Sequence, residues 1–241
     1  MKENSGMTLP ALVLVHGSFH RKEMWNALIE ELPDVDIRTI QLPSSAPVPV
    51  DQLGSMYEDA QAVKNLVLDV DGPVVVCAHS YGGVPVSQGL AGISAVKHIV
   101  YLNSFLLDIG ESMLGNRGGT YPPHWRVHEN EQYVEMIGAE KVFYNDLSQR
   151  DAEIAAAALG PQSLTSMRQP LTQAAWHDTA STYVIGERDA GLPVPMREKF
   201  GARLGDVRRM DTSHSPFYSR PAETAALIRE ALTGKLTQST P

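Results

Sequence analysis

Val74-Val75-Val76-Cys77-Ala78-His79-Ser80-Tyr81-Gly82-Gly83 decides how the rest of the 241-residue chain is read. Its first half is a continuous apolar, β-branched run, the composition of a strand buried on both faces. Its second half breaks into small residues that open a helix expected over Gly82 to Leu90. The pattern Ala78-x-Ser80-x-Gly82 departs by one methyl group from G-x-S-x-G, the signature of a serine held in a sharp strand-to-helix turn. Residues two positions from such a serine must be small. The serine also stands at a helix N-terminus, where backbone N–H groups converge on developing negative charge. Taken alone, the same pattern fits a plain turn whose serine only caps the helix.

The flanking sequence favours the sharper reading. Ala11-Leu12-Val13-Leu14-Val15-His16 is a second buried-strand run, stopped by Gly17. Met24, Trp25, Leu28 and Leu32 give Glu23 to Leu32 helical spacing, and Asp36 to Leu42 is a strand closed by Pro43. Helical spacing returns over Leu53 to Val70 and is broken at Gly72-Pro73. Val96 to Leu102, Thr182 to Ile185 and Val207 to Met210 are further strands, and Pro221 to Leu232 is a last amphipathic helix. This alternation predicts an α/β fold with a mostly parallel central sheet flanked by helices, in a single domain over 1–241. The alternation stops between about 105 and 179. That stretch is polar and aromatic and lacks a strong strand, so it is expected to form a small, mainly helical cap inserted in the domain.

Serine needs a base within hydrogen-bond reach before it can attack a carbonyl. Asp211-Thr212-Ser213-His214-Ser215-Pro216-Phe217 follows the last strand and supplies a histidine in a loop. Gly186-Glu187-Arg188-Asp189-Ala190-Gly191-Leu192-Pro193 follows the strand before it and supplies carboxylates that reach such a base. Asp108, after the strand Val96 to Leu102, is the rival acid. His16-Gly17-Ser18-Phe19-His20 ends the first strong strand. Each segment has a bland counterpart: a solvated histidine, an acidic turn, a strand-ending turn. Together they stand in the order serine, acid, histidine, each at a strand end.

These pieces resemble the α/β-hydrolase superfamily over nearly the whole chain. Within it they are most similar to the plant methylesterase and hydroxynitrile lyase group and its bacterial esterase relatives. Leu14-Val15-His16-Gly17, Ala78 to Gly83, Tyr183 to Pro193, His214 and the cap piece Phe143-Tyr144-Asn145-Asp146 carry the likeness. The resemblance implies Ser80 as nucleophile, His214 as base and Asp189, rather than Glu187 or Asp108, as the acid. It implies an oxyanion hole from the backbone N–H groups of Ser18 and Tyr81. The lyase members carry a lysine after the catalytic histidine and a threonine after the strand-ending one. Ser215 and, with Gly17 intervening, Ser18 stand at those places, so the resemblance favours ester hydrolysis over cyanohydrin cleavage. A C–C hydrolase using the same triad and a non-catalytic ligand-binding member of the fold are the other readings.

The formal net charge of −8 disfavours nucleic acid and anionic membranes as partners. One cysteine, Cys77, excludes an internal disulfide and fits a reducing compartment. The polar stretch Met1 to Pro10 does not read as a signal peptide, no run is long enough to span a membrane, and a cytoplasmic location is expected. His124 and His128 share a helical spacing, but the histidines lack metal-ligand patterns, so neither a metal nor a cofactor is expected. A small, partly apolar ester or lactone is the expected substrate, with Phe19, His20, Trp125, Trp176 and Phe217 as candidate pocket residues. The oligomeric state is open, a homodimer included.

Overall fold

The structure, a computed structural model, describes residues 9–238. The polar stretch read as lacking a leader therefore lies largely outside the described residues. The strands are β1 (Ala11–Val15), β2 (Ile37–Ile40), β3 (Val74–His79), β4 (Val96–Leu102), β5 (Trp125–His128), β6 (Tyr133–Met136), β7 (Gln162–Ser163), β8 (Ser181–Gly186) and β9 (Val207–Met210). The helices are α1 (Asn26–Glu30), α2 (Met56–Leu68), α3 (Gly83–Gly89), α4 (Ala139–Val142), α5 (Gln149–Ala157), α6 (Leu164–Arg168), α7 (Val194–Gly201), α8 (Pro216–Ser219) and α9 (Pro221–Leu232).

The main sheet has six strands in the order β2-β1-β3-β4-β8-β9, and every pairing is parallel. Its inner strands are apolar without alternation because helices cover both faces. Val13, Val15, Val74, Val76 and Ala78 face one apolar layer, together with Val63 and Val67 of α2 and Val84 and Val86 of α3. Leu12, Leu14, Val75 and Cys77 face the other, with Trp25, Leu28 of α1 and Ile228 and Leu232 of α9. The two-residue period of a strand thus divides one hydrophobic run between two cores.

Element ends moved where local hydrogen bonding overrides spacing. The helix expected from Leu53 begins at Met56, because Ser55 and Glu58 form a capping box: Ser55 Oγ accepts from the Glu58 N–H and Glu58 Oε2 accepts from the Ser55 N–H at 2.7 Å. The helix expected from Glu23 starts as a 3₁₀ turn, Lys22–Trp25, and becomes α1 only at Asn26. The segment 105–179 contains helices α4 to α6, yet it also holds an antiparallel sheet of three strands, β5-β6-β7. These strands are too short, and too rich in charge, to stand out as hydrophobic runs. Cross-strand pairs hold them, with His128 stacked on Tyr133 at 4.2 Å. Among the described residues no helix is long and apolar enough to cross a membrane.

Candidate active site

The turn after β3 is as sharp as its sequence demands. Ser80 has φ +53°, a left-handed conformation that costs a non-glycine residue energy. A Cβ on Gly82 would lie 2.6 Å from the His16 carbonyl oxygen and 2.7 Å from that of Val15, so only glycine fits there. Ala78 is fully buried in β3 between Val15 and Tyr101 and replaces glycine without disturbing the turn. The Ser80 carbonyl is tied down by the Phe105 N–H at 3.0 Å and the Ser104 hydroxyl at 2.8 Å, both just beyond β4.

His214 lies in the loop after β9, with Nε2 3.0 Å from Ser80 Oγ. Its Nδ1 is 2.9 Å from each carboxylate oxygen of Asp189. A carboxylate only accepts, so Nδ1 carries the proton and Nε2 is left to receive one from Ser80. Asp189 Oδ1 also accepts from the Gly191 N–H at 2.7 Å and the Leu192 N–H at 3.1 Å, and the carboxylate is shut off from solvent. Asp108 is elsewhere: it faces His177 at 2.9 Å on the surface and does not meet His214.

Asn103 and Arg197, which sequence reasoning passed over, brace this chain of hydrogen bonds, and so does the cap piece that carried the family likeness. Asn103, just after β4 with φ +44°, donates through Nδ2 to the carbonyls of Ser213 at 3.0 Å and His214 at 3.1 Å, and its Oδ1 accepts from the Gly186 N–H. A lone asparagine after a strand is its one sequence signal, since asparagine tolerates the left-handed region. Arg197 of α7 donates to the carbonyls of Gly186 at 2.8 Å and Asp189 at 3.0 Å. The Phe143 to Asp146 piece closes over the site from above: Phe143 stacks on the His214 ring at 5.0 Å, and Asp146 Oδ2 accepts from the Ser213 N–H at 2.8 Å.

The loop from β1 approaches the serine because residue 17 has no side chain. A Cβ on Gly17 would stand 2.8 Å from Ser80 Cβ. The Phe19 N–H is taken by Gln162 Oε1 at 3.2 Å, whereas those of Ser18 and Tyr81 form no backbone hydrogen bond among the described residues. The Tyr81 side chain runs the other way, and its hydroxyl donates to Asp59 Oδ2 at 2.6 Å. Asp59 Oδ1 accepts from the Ser44 N–H at 2.8 Å, and Gln162 Nε2 donates to the hydroxyls of Ser44 at 2.7 Å and Ser166 at 2.8 Å. Burial pushes the Asp59 carboxyl up to about 7.

Histidines crowd the site, and burial keeps His16, His20 and His79 neutral. His16 is lowered to about 4 and His20 to about 3. His79 falls well below the ordinary range, chiefly through burial and then through His214, and its Nε2 donates to the His214 carbonyl at 2.9 Å.

Above Ser80 lies a narrow cleft bordered by Ser18, Phe19, Phe105, Arg117, His124, Trp125, Phe143, Leu192 and His214. Phe19 and Trp125 were expected there. His20, Trp176 and Phe217 were also expected there, but the structure corrects those placements. His20 is buried behind the loop, its Nδ1 on the Ser18 carbonyl at 2.8 Å and its Nε2 receiving the Tyr144 hydroxyl at 2.9 Å. Phe217 packs on Trp25 at 4.8 Å in the opposite core layer. Trp176 donates to the Leu107 carbonyl at 2.8 Å, away from the serine. Aromatic character signalled burial for each but not the direction it faces. Among the described residues no cluster of three His, Cys, Asp or Glu side chains is placed to hold a metal ion.

Comparison with known proteins agrees with this architecture. The chain is 29% identical over 248 residues to the alpha/beta hydrolase nvfD of Aspergillus novofumigatus, a match spanning 93% of this chain and 97% of the relative. A pyrethroid hydrolase from Sphingobium faniae JZ-2 superposes with a TM-score of 0.80 at 19% identity, over 93% of this chain and 98% of that one. The methylesterase MES16 from Arabidopsis superposes with a TM-score of 0.73 at 18% identity, over 94% and 100%. At such identities the solved structures speak to fold, and the main sheet described above is theirs in outline. Residues 12–227 match the model of the alpha/beta hydrolase family, and the chain belongs to that family.

Proposed function

We propose that this protein hydrolyses small carboxylic esters or lactones through an acyl-enzyme formed on Ser80. The observation that carries the reading is the unbroken line from the Asp189 carboxylate through both nitrogens of His214 to Ser80 Oγ, with contacts of 2.9 and 3.0 Å. His214 Nε2 takes the Ser80 proton as Oγ bonds to the ester carbonyl carbon. In this reading the carbonyl oxygen becomes an oxyanion held by the Ser18 and Tyr81 N–H groups. His214 then returns the proton to the departing alcohol as the ester C–O bond breaks. Water, activated by the same imidazole, releases the acid and restores Ser80. Asp189 holds the tautomer throughout. The cleft is small, with walls of Phe19, Phe105, Trp125, Phe143 and Leu192, and suits a compact, partly apolar substrate. Residues 105–179, which supply most of those walls, act as the cap that selects it.

Short p-nitrophenyl esters test the reading. The parent protein is expected to hydrolyse them and to react with a fluorophosphonate, and Ser80→Ala to do neither. Equal rates from parent and variant would refute the assignment. Cyanohydrin cleavage keeps one observation in its favour. Ser215 stands where a lyase carries lysine, yet Arg117 brings a cation to the same cleft from a different part of the chain. Mandelonitrile therefore belongs in the substrate panel, and cyanide release faster than any ester turnover would replace the esterase reading.

A further inference from the structure

Arg117 is an unusual wall for an ester pocket. It sits at the end of a 3₁₀ turn, Gly115–Arg117, followed by the left-handed glycines Gly118 and Gly119. That turn leads the side chain into the cleft that holds Ser80 and His214. Its Nη2 donates to the Gly191 carbonyl at 3.0 Å, and its guanidinium lies 5.8 Å from the Phe105 ring centre. Gly191 is itself pressed on the base, since a Cβ there would come within 3.0 Å of His214 Nδ1. The guanidinium is thus anchored beside the catalytic imidazole.

What it lacks is an anion. Among the described residues no carboxylate forms an ion pair with Arg117, and its Nε is buried without an acceptor. Asp189 is near enough to be felt by the cation, but its oxygens are occupied by His214, Gly191 and Leu192. The Ser18 hydroxyl, which also borders the cleft, is buried with no partner. An arginine that only braced Gly191 would need one of its five N–H groups. Arg117 borders the cleft with donors to spare, and a guanidinium fork matches a carboxylate better than it matches an ester oxygen.

We propose that Arg117, helped by the Ser18 hydroxyl, forms a carboxylate-binding subsite beside the nucleophile, so that the preferred substrates are small esters or lactones carrying a second, ionised carboxylate. The proposal rests on the ester-hydrolase reading for the chemistry but not for the binding. The charged group stays intact through the reaction, and only the ester C–O bond is exchanged for water.

Two esters of matched length separate the terms: p-nitrophenyl hemisuccinate, which is anionic, and p-nitrophenyl pentanoate, which is neutral. For the parent, kcat/KM is expected to favour the hemisuccinate by about tenfold, the worth of a hydrogen bond to a charged group. Arg117→Met is expected to erase that preference mainly through KM, while Arg117→Lys retains part of it. The ratio of the two esters is the readout, so a general loss of active protein does not mimic the effect. A parent that prefers pentanoate, or a ratio that Arg117→Met leaves unmoved, would overturn the subsite and leave the esterase reading standing. If neither ester is hydrolysed, calorimetric titration of monomethyl succinate into Ser80→Ala protein decides. Binding at least about tenfold tighter than to the Ser80→Ala, Arg117→Met double variant upholds the subsite and removes the esterase. Binding that ignores Arg117 removes both.

Discussion

The carboxyl of Asp59 is the place where pH should act most directly on the folded protein. It lies fully buried beneath the serine turn, holds the Tyr81 hydroxyl at 2.6 Å, and is pushed up to about 7 by burial. In the unfolded chain the same group titrates near its ordinary value of about 4. Between those values the folded protein keeps a proton that the unfolded chain has lost, so folding is favoured at the acid end and this contribution fades as pH rises toward 7. From pH 5 to pH 8 the loss amounts to about 3 kcal/mol for this one group. Asp59→Asn removes the titration while keeping the shape. Its Oδ1 still accepts from the Ser44 N–H, and its amide faces a Tyr81 hydroxyl free to turn. The stability of Asp59→Asn minus that of the parent is therefore expected to rise by about 3 kcal/mol between pH 5 and pH 8. Urea unfolding followed by tryptophan fluorescence at several pH values gives this difference, and subtraction cancels every other titrating group. A difference that stays flat, or that falls as pH rises, would refute the placement of a protonated carboxyl under Tyr81.

Other perturbations test other parts of the site. Gly17→Ala drives a methyl group into Ser80 and shifts the loop that carries the Ser18 N–H. Ester kcat should fall by roughly tenfold to a hundredfold with little change in the melting temperature of the sheet. Asn103→Ala removes the ties to the Ser213 and His214 carbonyls and leaves alanine at a positive φ; both melting temperature and kcat should drop, with a stability loss of about 2–4 kcal/mol by urea titration. His16, His20 and His79 are buried neutral, with folded values below the unfolded one of about 6.5. The unfolded chain then binds more protons as pH falls, so each histidine costs about 1.4 kcal/mol per pH unit below that point, and urea midpoints should decline from pH 6.5 to pH 5 despite the opposing gain from Asp59.

The main sheet was legible because its inner strands must be apolar on both faces, and nothing else in the chain resembles Val74 to Ala78 or Ala11 to Val15. The serine turn was legible for a steric reason, since crowding at Gly82 and Gly17 leaves few residue choices. His214 and Asp189 were singled out by the family resemblance together with their loops after β9 and β8, and the structure brings the two side chains to 2.9 Å. The start of α2 was legible in principle, since Ser55-x-x-Glu58 is a capping-box pattern, but apolar spacing alone extends past it. What resisted reading was direction. Phe217 follows the base loop closely and still turns into the layer with Trp25, and a strand as short as Trp125–His128 is defined by its partner more than by its own composition. Arg117 was hidden for the same reason: a cation in a glycine-rich turn looks solvated until the fold shows what it faces.

The crowding of histidines around Ser80 bears on why only one of them is suited to act as base. His16 and His20 each direct Nδ1 to a backbone carbonyl, of Gly17 and Ser18, both at 2.8 Å, and each has Nε2 occupied by a donor from a neighbouring segment. A carbonyl fixes a tautomer and favours an imidazolium, but burial outweighs it and makes protonation costly. His79 has no carboxylate either, and spends its Nε2 proton on the His214 backbone. His214 alone among them has both oxygens of a carboxyl group on Nδ1 and a hydroxyl on Nε2. The neighbouring rings supply a dry and rigid frame without competing for the proton. If that division of labour holds, replacing Asp189 by asparagine should cost far more in kcat than any substitution of His16 or His20 that preserves folding. Asparagine keeps the contact but can donate its amide N–H to Nδ1, which favours the wrong tautomer, and it leaves the imidazolium without its counter-charge; a drop of about 10⁴ in kcat with an intact fluorescence melt is the expected result. A small loss would mean that burial, not Asp189, sets the character of the base.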